Sequence, residues 1–268
     1  MSAAIRSEFR KFFSTRLWWV LAIVMMAYCL LFSSSMGWMF GYMAANDDLT
    51  SLDSLRPAVY NLGPVMGYLF PAIIGAVSVT AEYRHNTIVP TFLGEPRRSV
   101  TMVAKVIAAI PMGLIIGILG TAACLLGGGL GFTGSHAGAA LGAAATWEGA
   151  GLSVLAMTIW ALVGVGLGML IISQVGVIIA LLVFTQLIEP VIRTALGLKY
   201  LASANWIAKF LPGAASEAAS GGHSVYSLMG IGSVAHPLLA WQGALVLAAY
   251  GIIFGLIGYF ARIRRDVS

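Results

Sequence analysis

Six long apolar stretches, near residues 17–40, 58–79, 103–130, 149–172, 175–196 and 238–261, are separated by short segments that hold nearly all of the charge. A helix needs about 20 residues to cross a hydrocarbon core, and every stretch meets that length. Barrel strands are short and alternate, so apolar runs this long exclude a transmembrane barrel. The pattern predicts an all-α integral membrane protein with six transmembrane helices. Residues 1–268 form a single transmembrane domain, with no separate soluble domain.

The segments between the stretches have patterns of their own. At the N-terminus Ile5, Phe9, Phe12 and Phe13 recur at helical spacing opposite Arg6, Arg10 and Lys11. A helix of that kind lies in the membrane interface, and Trp18 and Trp19 then anchor the start of the first span. The first apolar run is too long for a secretory signal, and no small-x-small cleavage site follows it.

Residues 81–105, AEYRHNTIVPTFLGEPRRSVTMVAK, form a charged island containing Glu82, Arg84, Glu95, Arg97, Arg98 and Lys105. At its centre Ile88, Val89, Phe92 and Leu93 are spaced to share one side of a short helix. An apolar strip displayed outside the bilayer reads as a docking surface for another protein. Pro90 fits such a helix if Thr87 is its N-cap. The proline is then the third helical residue, where the backbone N–H has no intrahelical acceptor in any case. The helix is expected to start no earlier than about Asn86 and to stop at Gly94-Glu95-Pro96, with Ser99 capping the third span.

Composition agrees with the pattern: 59% of residues are hydrophobic and 9% charged, against roughly 25% charged in soluble domains. Placing the N-terminus, the 80–105 loop and the C-terminus in the cytoplasm puts 11 of the 15 basic residues inside. Only Arg56, Arg193, Lys199 and Lys209 fall on the other side, as the positive-inside rule requires of an even number of spans with both termini cytoplasmic. Asp47, Asp48 and Asp53 mark the first external loop. The net charge of +5 is therefore a topology signal and gives no reason to expect nucleic acid as a partner.

Candidate chemistry is sparse. Cys29 and Cys124 fall inside spans and act as small apolar residues. His85, His136, His223 and His236 are dispersed and match no metal-ligand spacing. There is no phosphate-binding loop, no HExxH and no GxSxG, so no catalytic residue is assigned and the chain is not read as an enzyme. Ion-coupled transporters carry ionisable residues within their spans, whereas the acidic residue at a span edge here is Glu189. It precedes Pro190 and lies four residues before Arg193, a spacing that allows an ion pair. Glu189 and Pro212 are candidates for an outer gate, and the Pro-Gly pair of FLPG at 210–213 reads as a turn. Glycines four apart, Gly37/Gly41, Gly63/Gly67, Gly113/Gly117, Gly164/Gly168 and Gly251/Gly255, predict close internal helix packing.

In order and spacing, several segments together resemble the six-span permeases of ABC transporters of the ABC-2 type. They are EFRKFFSTRLWW before the first span, TAEYRHNTIVPTFLGEPRRSVTMVAK after the second, GVGLGMLIISQ, LIEP, FLPG, and LLAWQGALVLAAY leading to RIRRDVS. The resemblance implies one half of a homomeric or heteromeric permease dimer, in a prokaryotic plasma membrane, served by two cytoplasmic ABC ATPase subunits. ATP and Mg would be bound by those partners, and no cofactor by this chain. It also implies a coupling helix at about Thr87–Leu93, an interfacial connecting helix at the N-terminus and an external re-entrant region within 197–237. Ile88, Phe92 and Leu93 would then dock on the ATPase, with Glu82, Arg84, Arg97 and Arg98 at the rim. Export of a drug, antibiotic, peptide or lipid-like substrate is the implied activity. Alternatives are export of a polysaccharide or lipid-linked glycan, a secondary transporter, and a membrane scaffold.

Overall fold

The computed structural model describes residues 2–46, 52–94, 97–197, 206–222 and 237–263. Asp47, Asp48, Glu95, Pro96, Lys199, His223, His236, the side chain of Phe92 and much of segment 197–237 lie outside the described residues. The described chain is helical, with no strand among those residues. Among the described residues six helical stretches are long and apolar enough to cross a membrane: Leu17–Asn46, Leu55–Arg84, Arg98–Gly134, Ala144–Leu170, Gln174–Leu196 and Ala240–Ala261. This is the pattern of a multi-pass membrane protein.

In chain order, α1 (Ser2–Ser14) precedes the first span, α2 (Leu17–Asn46). The second span combines α3 (Leu52–Tyr60), a wide π turn at Gly63–Gly67 and α4 (Leu69–Arg84). A short helix, α5 (Ile88–Gly94), leads into the third span, α6 (Arg98–Gly134), and the fourth is α7 (Ala144–Leu170). The fifth is divided into α8 (Gln174–Val183), a π turn at Phe184–Ile188 and α9 (Glu189–Leu196). The wide turn falls just before Pro190, which has no N–H to give to the carbonyl four residues back. There Glu189 N–H donates to the Phe184 carbonyl instead. Then come α10 (Pro212–Ala219) and the sixth span, α11 (Ala240–Gly258).

The fourth span is the axis of the bundle. The second and sixth spans lie along it, and the third packs on it while carrying the first on its other side. The most apolar part of the fourth span is 72% buried, against 11% for the sixth, so the peripheral helices present their apolar surface outward. Close approach at the axis depends on glycine. A Cβ on Gly164 would overlap the Ala72 carbonyl, and one on Gly75 the Ala161 carbonyl, so the second and fourth spans meet backbone to backbone. Gly113 and Gly117 meet Thr158 and Val154 in the same way, in line with the expected internal packing. Tyr68 stacks on Trp160 at 4.4 Å between ring centroids, and Met25, Cys29, Cys124 and Met157 form one core cluster shared by the first, third and fourth spans.

Candidate functional site

The charged island folds as a turn, a short helix and the start of a long one. α4 closes with His85 and with Asn86 in the left-handed region, at φ 53°. Thr87 N–H donates to the Glu82 carbonyl at 2.8 Å, and Asn86 N–H to the Tyr83 carbonyl at 3.3 Å. This pair of bonds is a Schellman closure, and asparagine is the non-glycine residue that adopts its left-handed position most readily. The closure reverses the chain in two residues and fixes the direction in which α5 leaves the bundle.

α5 begins at Ile88 and ends at Gly94, so Pro90 is its third residue and sacrifices no internal bond. Thr87 stands at the cap position, but its hydroxyl turns back to the Glu82 carbonyl at 3.4 Å. The four apolar residues do not share one exposed side. Ile88 is buried at 4% exposure, whereas Val89 is 52% and Leu93 79% exposed. Val89 and Leu93, four apart, therefore form the displayed strip, and Ile88 faces inward to hold the helix down. The third span starts at Arg98 with Arg97 before it, two residues earlier than a Ser99 cap would allow, and no side-chain cap forms.

Glu82 is not at a rim. It is 5% exposed and belongs to a charged quartet with buried Glu8 and Lys105 and half-exposed Lys11. Lys105 Nζ donates to Glu8 Oε2 at 2.8 Å, to Glu82 Oε1 at 2.9 Å and to the Ser78 carbonyl at 2.9 Å. Lys11 Nζ donates to Glu8 Oε1 at 2.8 Å and Glu82 Oε1 at 2.5 Å. The group joins α1, α4 and α6 at the foot of α5. Two ammonium groups match two carboxylates, which is the condition for tolerating buried charge. Burial works against the charge of Lys11, but its bonds to both carboxylates and their negative charge outweigh it and hold its ammonium above the ordinary lysine range. Arg84 is exposed and donates to Gln174 Oε1 at 3.1 Å, linking the same turn to the start of the fifth span. Arg97 is exposed and Arg98 half-buried.

On α1, Ile5, Phe9 and Phe12 are half-buried and Phe13 is exposed, with Phe12 and Phe13 both packed on Trp18. Glu8 falls within the apolar stripe, between Ile5 and Phe12, and so points into the bundle.

At the opposite end, Glu189 and Arg193 do not pair with each other as their spacing suggested. Arg193 makes a two-toothed bond to Glu217 of α10, at 2.6 and 3.0 Å. Glu189, 2% exposed, accepts from Ala214 N–H at 3.1 Å and so caps the N-terminus of α10. Pro212 does not shape a loop turn; it opens α10 as its first residue, where its fixed φ suits a helix start. α10 is buried on nearly every side. Trp160 Nε1 donates to Ser216 Oγ at 2.9 Å, and Ser216 Oγ to the Pro64 carbonyl at 2.8 Å. Asn61 accepts from Ser153 at 3.0 Å and donates to the Ser220 carbonyl at 3.1 Å. The helix is thus fastened to the second, fourth and fifth spans. No group of three or more potential metal ligands occurs among the described residues.

The quartet and the α10 fastenings went unread in the sequence, although two signals were present. Lys105 sits inside an apolar span, where a cation needs a partner, and Glu8 interrupts the apolar stripe of α1. No protein-family model matches the chain, and no curated protein matches it.

Proposed function

We propose that the chain is the permease subunit of an ATP-binding cassette exporter, one half of a dimeric pathway driven by separate cytoplasmic ATPase subunits. The observation that carries this reading is the pairing of a displayed apolar strip with a rigid foundation. Val89 and Leu93 are exposed on a short helix at the charged end of the bundle. Its foot is fixed to the second span by the Schellman closure and to the third span and α1 by the charged quartet. A push on α5 is delivered to three elements together, which is what coupling to a motor requires. In this reading α5 is the coupling helix, α1 the interfacial helix and α10 the core of an external re-entrant region. The charged end is cytoplasmic.

The docking contacts are Val89 and Leu93, with Phe92 beside them and Arg84, Arg97 and Arg98 at the rim. Ile88 and Glu82 support the helix from within. ATP and Mg belong to the partner, and the cargo is a drug, antibiotic, peptide or lipid-like compound. Glu189 and Pro212 act on the outer gate by holding α10.

Co-purification with a cytoplasmic ABC ATPase tests the reading. Val89→Asp with Leu93→Asp should release the ATPase and abolish the permease-dependent part of its hydrolysis, and Phe92→Asp should weaken both. A complex retained at full activity in both variants would overturn the assignment of α5.

A further inference from the structure

A cavity of about 620 Å³ opens beside the quartet, between α1, the start of the first span, the second and third spans and the start of the fifth. Its wall is apolar, with Phe12, Leu17, Ile74 and Met112, and its rim is charged. The carboxylates that line it, Glu8 and Glu82, are already matched by Lys11 and Lys105. That leaves Arg16 and Arg84 as surplus positive charge; among the described residues neither forms an ion pair, and the bond shown for Arg84 is to the neutral Gln174. Trp18 lines the same cavity with its indole N–H buried and lacking an acceptor. Glu82 Oε2 is likewise buried without a donor. The cavity thus offers two guanidinium groups to an anion and an apolar wall to a hydrocarbon chain. Guanidinium groups and phosphates are well-matched partners.

We propose that this cavity seats the anionic phosphodiester headgroup of a phospholipid from the leaflet at the charged end of the bundle. The phosphate lies against Arg16 and Arg84. Part of an acyl chain runs along Phe12 and Leu17. A volume in this range suits a headgroup and the beginning of a chain. The site acts as a mooring, tying α1 and the turn before α5 to one bilayer leaflet.

The test is lipid titration of the delipidated full chain in neutral detergent, followed by native mass spectrometry. It needs no ATPase, so its outcome is separate from that of the coupling assignment. Phosphatidylglycerol should bind saturably at one site per chain and at least about tenfold more tightly than phosphatidylcholine. Arg16→Gln with Arg84→Gln should remove that preference, whereas Arg6→Gln with Arg10→Gln, the same loss of charge away from the cavity, should leave it. Phosphatidylglycerol with brominated chains should quench the fluorescence of Trp18, and Trp18→Phe should remove that share of the quenching in a chain whose arginines are intact. Equal affinity for phosphatidylcholine would overturn the proposal, as would equal loss in the Arg6/Arg10 pair. Binding of soluble glycerol phosphate as tight as that of the lipid would replace the lipid by a free phosphate ester and overturn the mooring.

Discussion

Replacing Lys105 by methionine keeps most of the side-chain volume and removes the cation at the centre of the quartet. Three hydrogen bonds disappear, and Glu8 and Glu82 then share only Lys11, whose side chain is 42% exposed. Breaking a buried ion pair costs about 3 to 5 kcal/mol. A loss of that size is a fall in Tm on the order of 10 °C for a chain of this size. Thermal unfolding followed by tryptophan fluorescence in detergent measures it. Lys105→Met with Glu82→Gln, which restores charge balance, should recover much of the loss. A Tm within about 2 °C of wild type at pH 7, or a double variant no better than the single one, would refute the claim that balanced charge holds this end together.

Three further outcomes are expected. Ser216→Ala removes the link between Trp160 and the Pro64 carbonyl and should cost about 1 to 3 kcal/mol, visible in the same melting assay; Ser216→Thr should cost less only if the added methyl is accommodated. Gly75→Leu forces the second and fourth spans apart and should lower the yield of folded protein and its Tm, by at least the 1 to 3 kcal/mol typical of overpacking. The raised Lys11 ammonium contributes stability in full below the ordinary lysine value of about 10.4 and loses it as pH rises through the higher folded value. The alkaline fall in Tm should therefore be shallower in Lys11→Met, and an unchanged profile would show that Lys11 contributes nothing.

How much could be read from the sequence depended on whether a signal was local. The spans were legible because hydrocarbon thickness sets a length that any apolar run must meet, and α5 was legible because Pro90 and Gly94 mark a helix start and stop a few residues apart. Which side of α5 would show was not legible. The spacing of Ile88, Val89, Phe92 and Leu93 suits either way of turning the helix, and only the direction set by the turn at Asn86 puts Ile88 inward and Val89 and Leu93 outward. Charge was misread for a related reason. A topology rule counts Lys105 and Glu82 as markers of one side, yet both are buried because α1 folds back to bring Glu8 and Lys11 to them from more than 70 positions away. Arg193 chose Glu217, 24 residues on, over the neighbour one helical turn back, since a helix spacing permits a pair but cannot show what a tucked-in helix offers instead.

Energy entering at α5 from a partner ATPase is the claim on which the functional reading rests, and transport by proteoliposomes containing the permease and its ATPase tests it most directly. Accumulation of a fluorescent amphipathic cargo should require hydrolysable ATP, persist when ionophores collapse every ion gradient, and vanish in Val89→Asp with Leu93→Asp. Accumulation driven by an imposed ion gradient through the purified permease alone, indifferent to ATP and to the substitutions on α5, would contradict it.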